Sequence, residues 1–121
     1  MWGMASQLND APIEAISVYY STQPPAPAKA GDGKLMARGK QILEEGIAAQ
    51  GVAACASCHG SQARGNNICP RRAGHHADYL VKQMLVIQSA LRAAPVMHGV
   101  IKDPPQDQMR AVGTYLESLG S

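Results

Sequence analysis

Phenylalanine is absent from this chain, and tryptophan and tyrosine number only one and four among 121 residues. That length is one domain, near the small end for a self-sufficient core. So few rings leave such a core short of large flat side chains. No apolar run approaches the ~20 residues that span a bilayer, which excludes a membrane-spanning helix. Neither sign of charge dominates: 11 basic residues stand against 9 acidic ones, without a basic run. A nucleic acid is therefore a poor candidate for the main partner. The opening Met1-Trp2-Gly3-Met4 lacks the basic and apolar regions of an export signal. Strand-type alternation of useful length is missing too, and the expectation is all-α.

What is present is a series of short amphipathic stripes. Residues 8–21 read as a helix with Asp10 as N-cap and Pro12 in the first turn, where its missing N–H costs nothing. Ile13, Ile16, Ser17 and Tyr20 line one side of it. Pro24-Pro25-Ala26-Pro27 and Gly31-Asp32-Gly33 make residues 22–33 a semi-rigid linker. A second helix is expected over 34–45, with Gly39, Ile42 and Leu43 on one face and Gly46 as its stop. Gly39 weakens a helix but lets a neighbouring one approach closely. A third helix is expected over 77–92 and a last over 105–118, its stripe formed by Met109, Val112, Gly113 and Leu116. Between them, Ala94-Pro95-Val96-Met97-His98-Gly99 reads as an extended segment broken by its proline.

Shifting the chain by 96 positions lays Ile13, Ala15, Ile16, Tyr19 and Tyr20 on Met109, Ala111, Val112, Tyr115 and Leu116, and Met1 on Met97. Two amphipathic helices often look alike. Here the linker separates the units cleanly, so residues 1–21 read as the tail of a preceding domain. Such a helix must dock on this domain, pair with a second copy, or fray.

The chemistry concentrates in Cys55-Ala56-Ser57-Cys58-His59. C-x-x-C-H is the attachment sequence for a c-type haem. Cysteines three positions apart lie on one side of a helical turn, so both sulfurs can bond the vinyl-derived carbons of one haem edge while the histidine turns to the iron. A covalently held porphyrin would also supply the flat apolar surface that the composition lacks. Attachment normally takes place outside the bacterial cytoplasm, so the expected location is the periplasm, and the chain is expected to be a mature protein or a fragment. Rival readings exist. With Cys69 and His75 the two cysteines would complete a Cys3His zinc site in a metal-stabilised helical module. A redox dithiol would need a βαβ context, and none is visible.

Residues 34–121 resemble a class I c-type cytochrome, most like one domain of the dihaem cytochrome c4 type. The resemblance runs through Gly39…Leu43, Gly51 to Gly60, Gly65-Asn66, the stretch from Pro70 to Gln83, Met97, and Ala111 to Leu116. It implies one haem c, joined through Cys55 and Cys58, with His59 as proximal and Met97 as distal iron ligand. Pro70 would accept a hydrogen bond from His59 and fix its tautomer. Arg71 or Arg72 would pair with a haem propionate, and Tyr79 and Gln83 would complete the haem surroundings. Gly39 and Leu43 would cross the last helix at Val112, Tyr115 and Leu116.

Met97 competes with His98 for the distal position, since a methionine is more often core filling than a ligand. His75 and His76 read as solvated residues leading into the third helix. Cys69 reads as a small buried apolar residue or, if exposed, a dimerising thiol. Arg92 could reach a propionate or cap its helix. The family departs here at Arg72 and His75, where it usually carries leucine and glutamine, and at Cys69. The function implied is one-electron transfer between redox proteins such as a respiratory complex, dehydrogenase or terminal oxidase. The alternatives are a haem relay within a membrane-associated dehydrogenase complex, or a gas-binding haem protein if Met97 does not reach the iron.

Overall fold

A computed structural model describes residues 1–25 and 27–120, so Ala26 of the expected linker and Ser121 of the expected domain lie outside the described residues. It holds seven α-helices among the described residues. They are α1 (Trp2–Ala5), α2 (Asp10–Ser21), α3 (Gly33–Glu45), α4 (Ala56–His59), α5 (Ala77–Gln88), α6 (Pro95–Ile101) and α7 (Gln106–Ser118). The same residues contain isolated bridges but no strand.

The frame that positions the site is α3 and α5 packed against α7. Asp32 starts α3, its carboxylate accepting from the backbone N–H groups of Lys34 and Leu35 at 3.1 and 3.0 Å. Gly46 ends it at a φ of +75°, where a Cβ would meet the Val52 carbonyl oxygen at 2.2 Å. In between, Gly39, Ile42 and Leu43 form the buried face. A Cβ on Gly39 would sit 2.1 Å from the Ala111 carbonyl oxygen, so the α3–α7 crossing exists only because that position is bare. On the other flank, Ala77, Leu80 and Val81 of α5 are buried, with Ala77 and Val81 closing over Gly113 of α7. Leu43 and Met109 are the largest side chains sealed in this core. Burying each contributes roughly 1.5–3 kcal/mol.

Three expectations are corrected. First, α5 stops at Gln88 rather than reaching Arg92. Ala90 turns to a left-handed φ of 59°, and the Gln88 amide fastens the helix end to the carbonyls of Ile101, Lys102 and Pro104 at 3.0 to 3.1 Å. Second, residues 95–101 form a helix, not an extended segment. Pro95 occupies its first turn, where the ring's fixed φ suits the helix and the missing N–H has no partner to lose. Third, Asp10 is the first residue of α2, and the N-cap position belongs to Asn9, whose backbone is extended as a cap requires. The short α1 ahead of it was not anticipated. No residue of α1 or α2 is buried.

Candidate functional site

The site begins with a single helical turn. In α4 the His59 N–H donates to the Cys55 carbonyl at 3.0 Å, which stacks the histidine over the first cysteine's end of the turn. Gly60 then leaves at a φ of +83° and reverses the chain. Gly65, also left-handed at +81°, packs so closely on residues 69–71 that a Cβ would lie 2.5 Å from the Arg71 nitrogen. A two-residue bridge, Asn66 with Cys69, brings the chain back beneath the histidine. The result is the expected contact: His59 Nδ1 lies 2.8 Å from the Pro70 carbonyl oxygen. A carbonyl can only accept, so Nδ1 carries the proton and Nε2 keeps its lone pair for a metal.

His59 is 8% exposed and forms one wall of a cleft of about 350 Å³. That size suits a bound organic group, for which 300–1,000 Å³ is typical. Cys58 and Pro70 share the His59 side, while Met97 and Val100 of α6 and Ile87 of α5 supply apolar lining. Cys55 faces away from this opening into a tight apolar space of about 20 Å³, walled by Ile42, Val52, Met84, Met109 and Val112. Burial, with the Cys58 charge adding, pushes the Cys55 thiol up, although its own backbone bond works the other way. A buried histidine with a free ligating nitrogen, a thioether in the same apolar cleft and two thiols on one turn fit a flat, hydrophobic, iron-bearing ligand.

The cytochrome c family model matches residues 36–120. The chain belongs to the cytochrome c family. Cytochrome c-552 of Acidithiobacillus ferridurans is 32% identical over 120 residues, covering 98% of this chain and 52% of its own length. The solved structure of cytochrome c4 from Acidithiobacillus ferrooxidans superposes with a TM-score of 0.88 at 31% identity, over 98% of this chain and 70% of that one. A protein named thiosulfate dehydrogenase electron acceptor, from Stutzerimonas stutzeri, is 35% identical over 85 residues, or 69% of this chain and 39% of the other. The chain thus spans about half the length of the cytochrome c-552 it matches.

As a cytochrome c domain it carries one haem c, bound covalently through Cys55 and Cys58. The fold is the cytochrome c fold. The zinc reading falls with this, and no group of three or more potential metal-ligating side chains gathers among the described residues.

The remaining candidates divide. Arg72 lines the cleft and Arg71 does not. The Arg71 guanidinium donates to the Ala73 carbonyl at 3.1 Å and borders a separate surface groove with Pro25, His75 and Tyr79. Tyr79 stacks on the His75 ring there, centroids 6.0 Å apart, so Arg71 and Tyr79 share this neighbouring groove. Gln83 reaches the cleft only indirectly, its carbonyl accepting from Arg92 at 2.5 Å. His98 Nδ1 is tied to the Ile87 carbonyl at 2.8 Å, and its ring is not among the cleft's walls. His76 pairs with Glu117. Cys69, part-buried, lines the cleft.

Sequence reasoning missed the exposed rim. Ile68 and Val96 are 94% and 80% exposed and both border the opening. Neither belongs to a periodic stripe. Their only signal is adjacency, one beside Cys69-Pro70 and the other beside Met97.

Proposed function

We propose that this domain holds its haem iron between His59 Nε2 and Met97 and works as a one-electron relay in the bacterial periplasm. The haem supplies the redox couple at its iron. The chain's residues decide what that couple is worth and who can reach it. The Pro70 carbonyl fixes the His59 tautomer and makes Nε2 a better donor. Met97 offers a neutral thioether, a ligand that favours reduced iron and raises the potential. With His59 and Met97 both holding the iron, no place would be left on it for a substrate. Ile87 and Val100 exclude water from the inner cleft, while Ile68 and Val96 bring an apolar rim to the surface where a redox protein can approach. Such contacts are small and transient.

The observation that carries this reading is the placement of His59, with its Nδ1 spoken for, and Met97 in one cleft. Replacing Met97 with alanine tests it by ligand binding. The ferrous wild-type protein should not take up carbon monoxide, and Met97→Ala should. Uptake by both, or by neither, counts against the ligand assignment.

Residues 1–21 are the closing helices of a preceding haem domain, and residues 34–121 the following domain, joined by the linker at 22–33. Two observations support this. The matched cytochrome c-552 extends well beyond this chain's length. Under the 96-residue shift α1 and α2 also fall on α6 and α7, short helix on short helix and long on long. The missing cover of α2 is then another domain's core. A second copy pairing through α2 is the competing occupant, and sedimentation of the protein at two concentrations separates them, because only a dimer responds to dilution.

A dedicated relay inside a dehydrogenase complex remains the second reading, favoured by the relative named thiosulfate dehydrogenase electron acceptor. A stable complex with a subunit bearing a dehydrogenase cofactor, recovered by pull-down, would move the account to it. No described helix is long and apolar enough to cross a membrane.

A further inference from the structure

Met97 sits on a helix that has little of its own to hold it. α6 spans seven residues, and Ile101 is its one buried side chain. A helix that short draws its stability from tertiary contacts rather than from itself, and its packing partner is α5. The turn joining the two passes through Ala90 at a left-handed φ of 59°, which a residue with a Cβ keeps only when its surroundings impose it. Two side chains fasten the pair. At the middle of α6 the half-buried His98 turns its Nδ1 to the Ile87 carbonyl oxygen, 2.8 Å away. The oxygen can only accept, so Nδ1–H donates. At the far end of α6 the Gln88 amide nitrogen donates to the carbonyls of Ile101, Lys102 and Pro104 at 3.0 to 3.1 Å. Ile87 and Gln88 lie in the last turn of α5, where backbone carbonyls lack a partner four residues on. The Ile87 side chain also walls the cleft that Met97 lines. The residue beside Met97 is thus tied to the backbone of a residue that shapes the cleft.

We propose that His98 and Gln88 are positioning residues that latch α6 to α5 and keep Met97 closed on the iron against outside ligands. The inference rests on Met97 as the distal ligand, as proposed above. An outside ligand such as imidazole can take the sixth place only in molecules whose Met97 has swung away. Its apparent dissociation constant is therefore the intrinsic one divided by the open fraction. The exchange replaces one neutral donor by another and moves no electron. Breaking a latch raises the open fraction and leaves the closed molecule as it was. His98 acts through Met97 and not on the iron, because its Nδ1 is committed to Ile87 and its ring is not among the cleft's walls.

The test is an imidazole titration of the oxidised holoprotein, followed at the Met–Fe charge-transfer band. Without imidazole, His98→Ala should keep the band. With it, the band should disappear at roughly five- to tenfold lower imidazole than in wild type, the size expected for one intramolecular hydrogen bond. His98→Asn should restore much of the difference, since its amide nitrogen can stand where Nδ1 stands and donate to Ile87. Gln88→Glu keeps the side chain's shape but offers only acceptors when ionised, so it should shift the titration in the same direction as His98→Ala. Leu43→Ala removes more stability from the core and should nevertheless move the titration less than either. If His98→Ala yields too little holoprotein, Gln88→Glu against wild type and Leu43→Ala carries the same comparison. A titration unmoved in His98→Ala or Gln88→Glu, or moved at least as far by Leu43→Ala, overturns the latch. A failure of the axial assignment looks different: the unsubstituted protein would lack the Met–Fe band before any imidazole is added.

Discussion

Helices α2 and α7 carry nearly the same stripe and live in opposite surroundings. α7 buries Met109, Ala111, Val112, Gly113 and Leu116, whereas the matching positions of α2, Ile13, Ile16, Tyr19 and Tyr20, are 45% to 68% exposed. Both are helical because the spacing, the small residues and the first-turn chemistry suit a helix. Only one contributes to a core. The difference lies outside either helix: α7 meets a bare backbone at Gly39 on α3 and receives Ala77 of α5 on Gly113. A stripe specifies a surface to be covered, and the partner decides whether it becomes stability.

Substitutions at the two helices' contacts sharpen that contrast. Gly39→Val should have the largest effect, since its side chain would collide with the Ala111 carbonyl and the Tyr115 Cβ. Loss of more than about 3 kcal/mol is expected, enough to remove most of a small domain's margin, and denaturant unfolding measures it. A Gly39→Val protein as stable as wild type would show that α3 and α7 do not meet as described. Leu43→Ala, one position class down, should cost roughly 2–5 kcal/mol by leaving a cavity. On α2 the corresponding truncation, Ile16→Ala, should change stability by no more than about 0.5 kcal/mol. A loss at Ile16 approaching that at Leu43 would mean α2 packs on a core after all.

The smallest effect concerns the surface link between α5 and α7. Arg110 donates to Asp78 and, chiefly through that hydrogen bond, holds the carboxyl below its usual 3.8. A depressed carboxylate adds stability above its unfolded pKa and loses it as pH falls through the folded value. Asp78 is almost fully exposed, so solvent screens the pair. Wild type and Arg110→Gln should melt nearly together, with a slight wild-type advantage at neutral pH that vanishes under strong acid. An advantage that grew on acidification would have the wrong sign for this pair.

Much of this was legible in the residues. The C-x-x-C-H turn, the close approach at Gly39, the α7 stripe and the His59–Pro70 contact follow from spacing or from the family resemblance, because each depends on neighbours fixed in sequence. What was not legible depends on where the chain turns. Pro95 read as a breaker, although proline opens a helix as readily as it ends one, and only the left-handed Ala90 upstream makes it the start of α6. Arg71 and Arg72 are adjacent and alike in composition. Which of them enters the cleft is set by the tight return after Gly65 and by the Arg72 N–H on Ala63, contacts that no local pattern announces. The stacking of Tyr79 on His75 beside that groove was likewise not announced by any local pattern.

The axial pair is the claim on which the functional account depends most. Absorption of the oxidised protein in the region of the Met–Fe charge-transfer band tests it most directly, with wild type, Met97→Ala and His98→Ala compared. The band should be present in wild type, persist in His98→Ala and vanish in Met97→Ala; a band that survives the loss of Met97, or goes with His98, would contradict it.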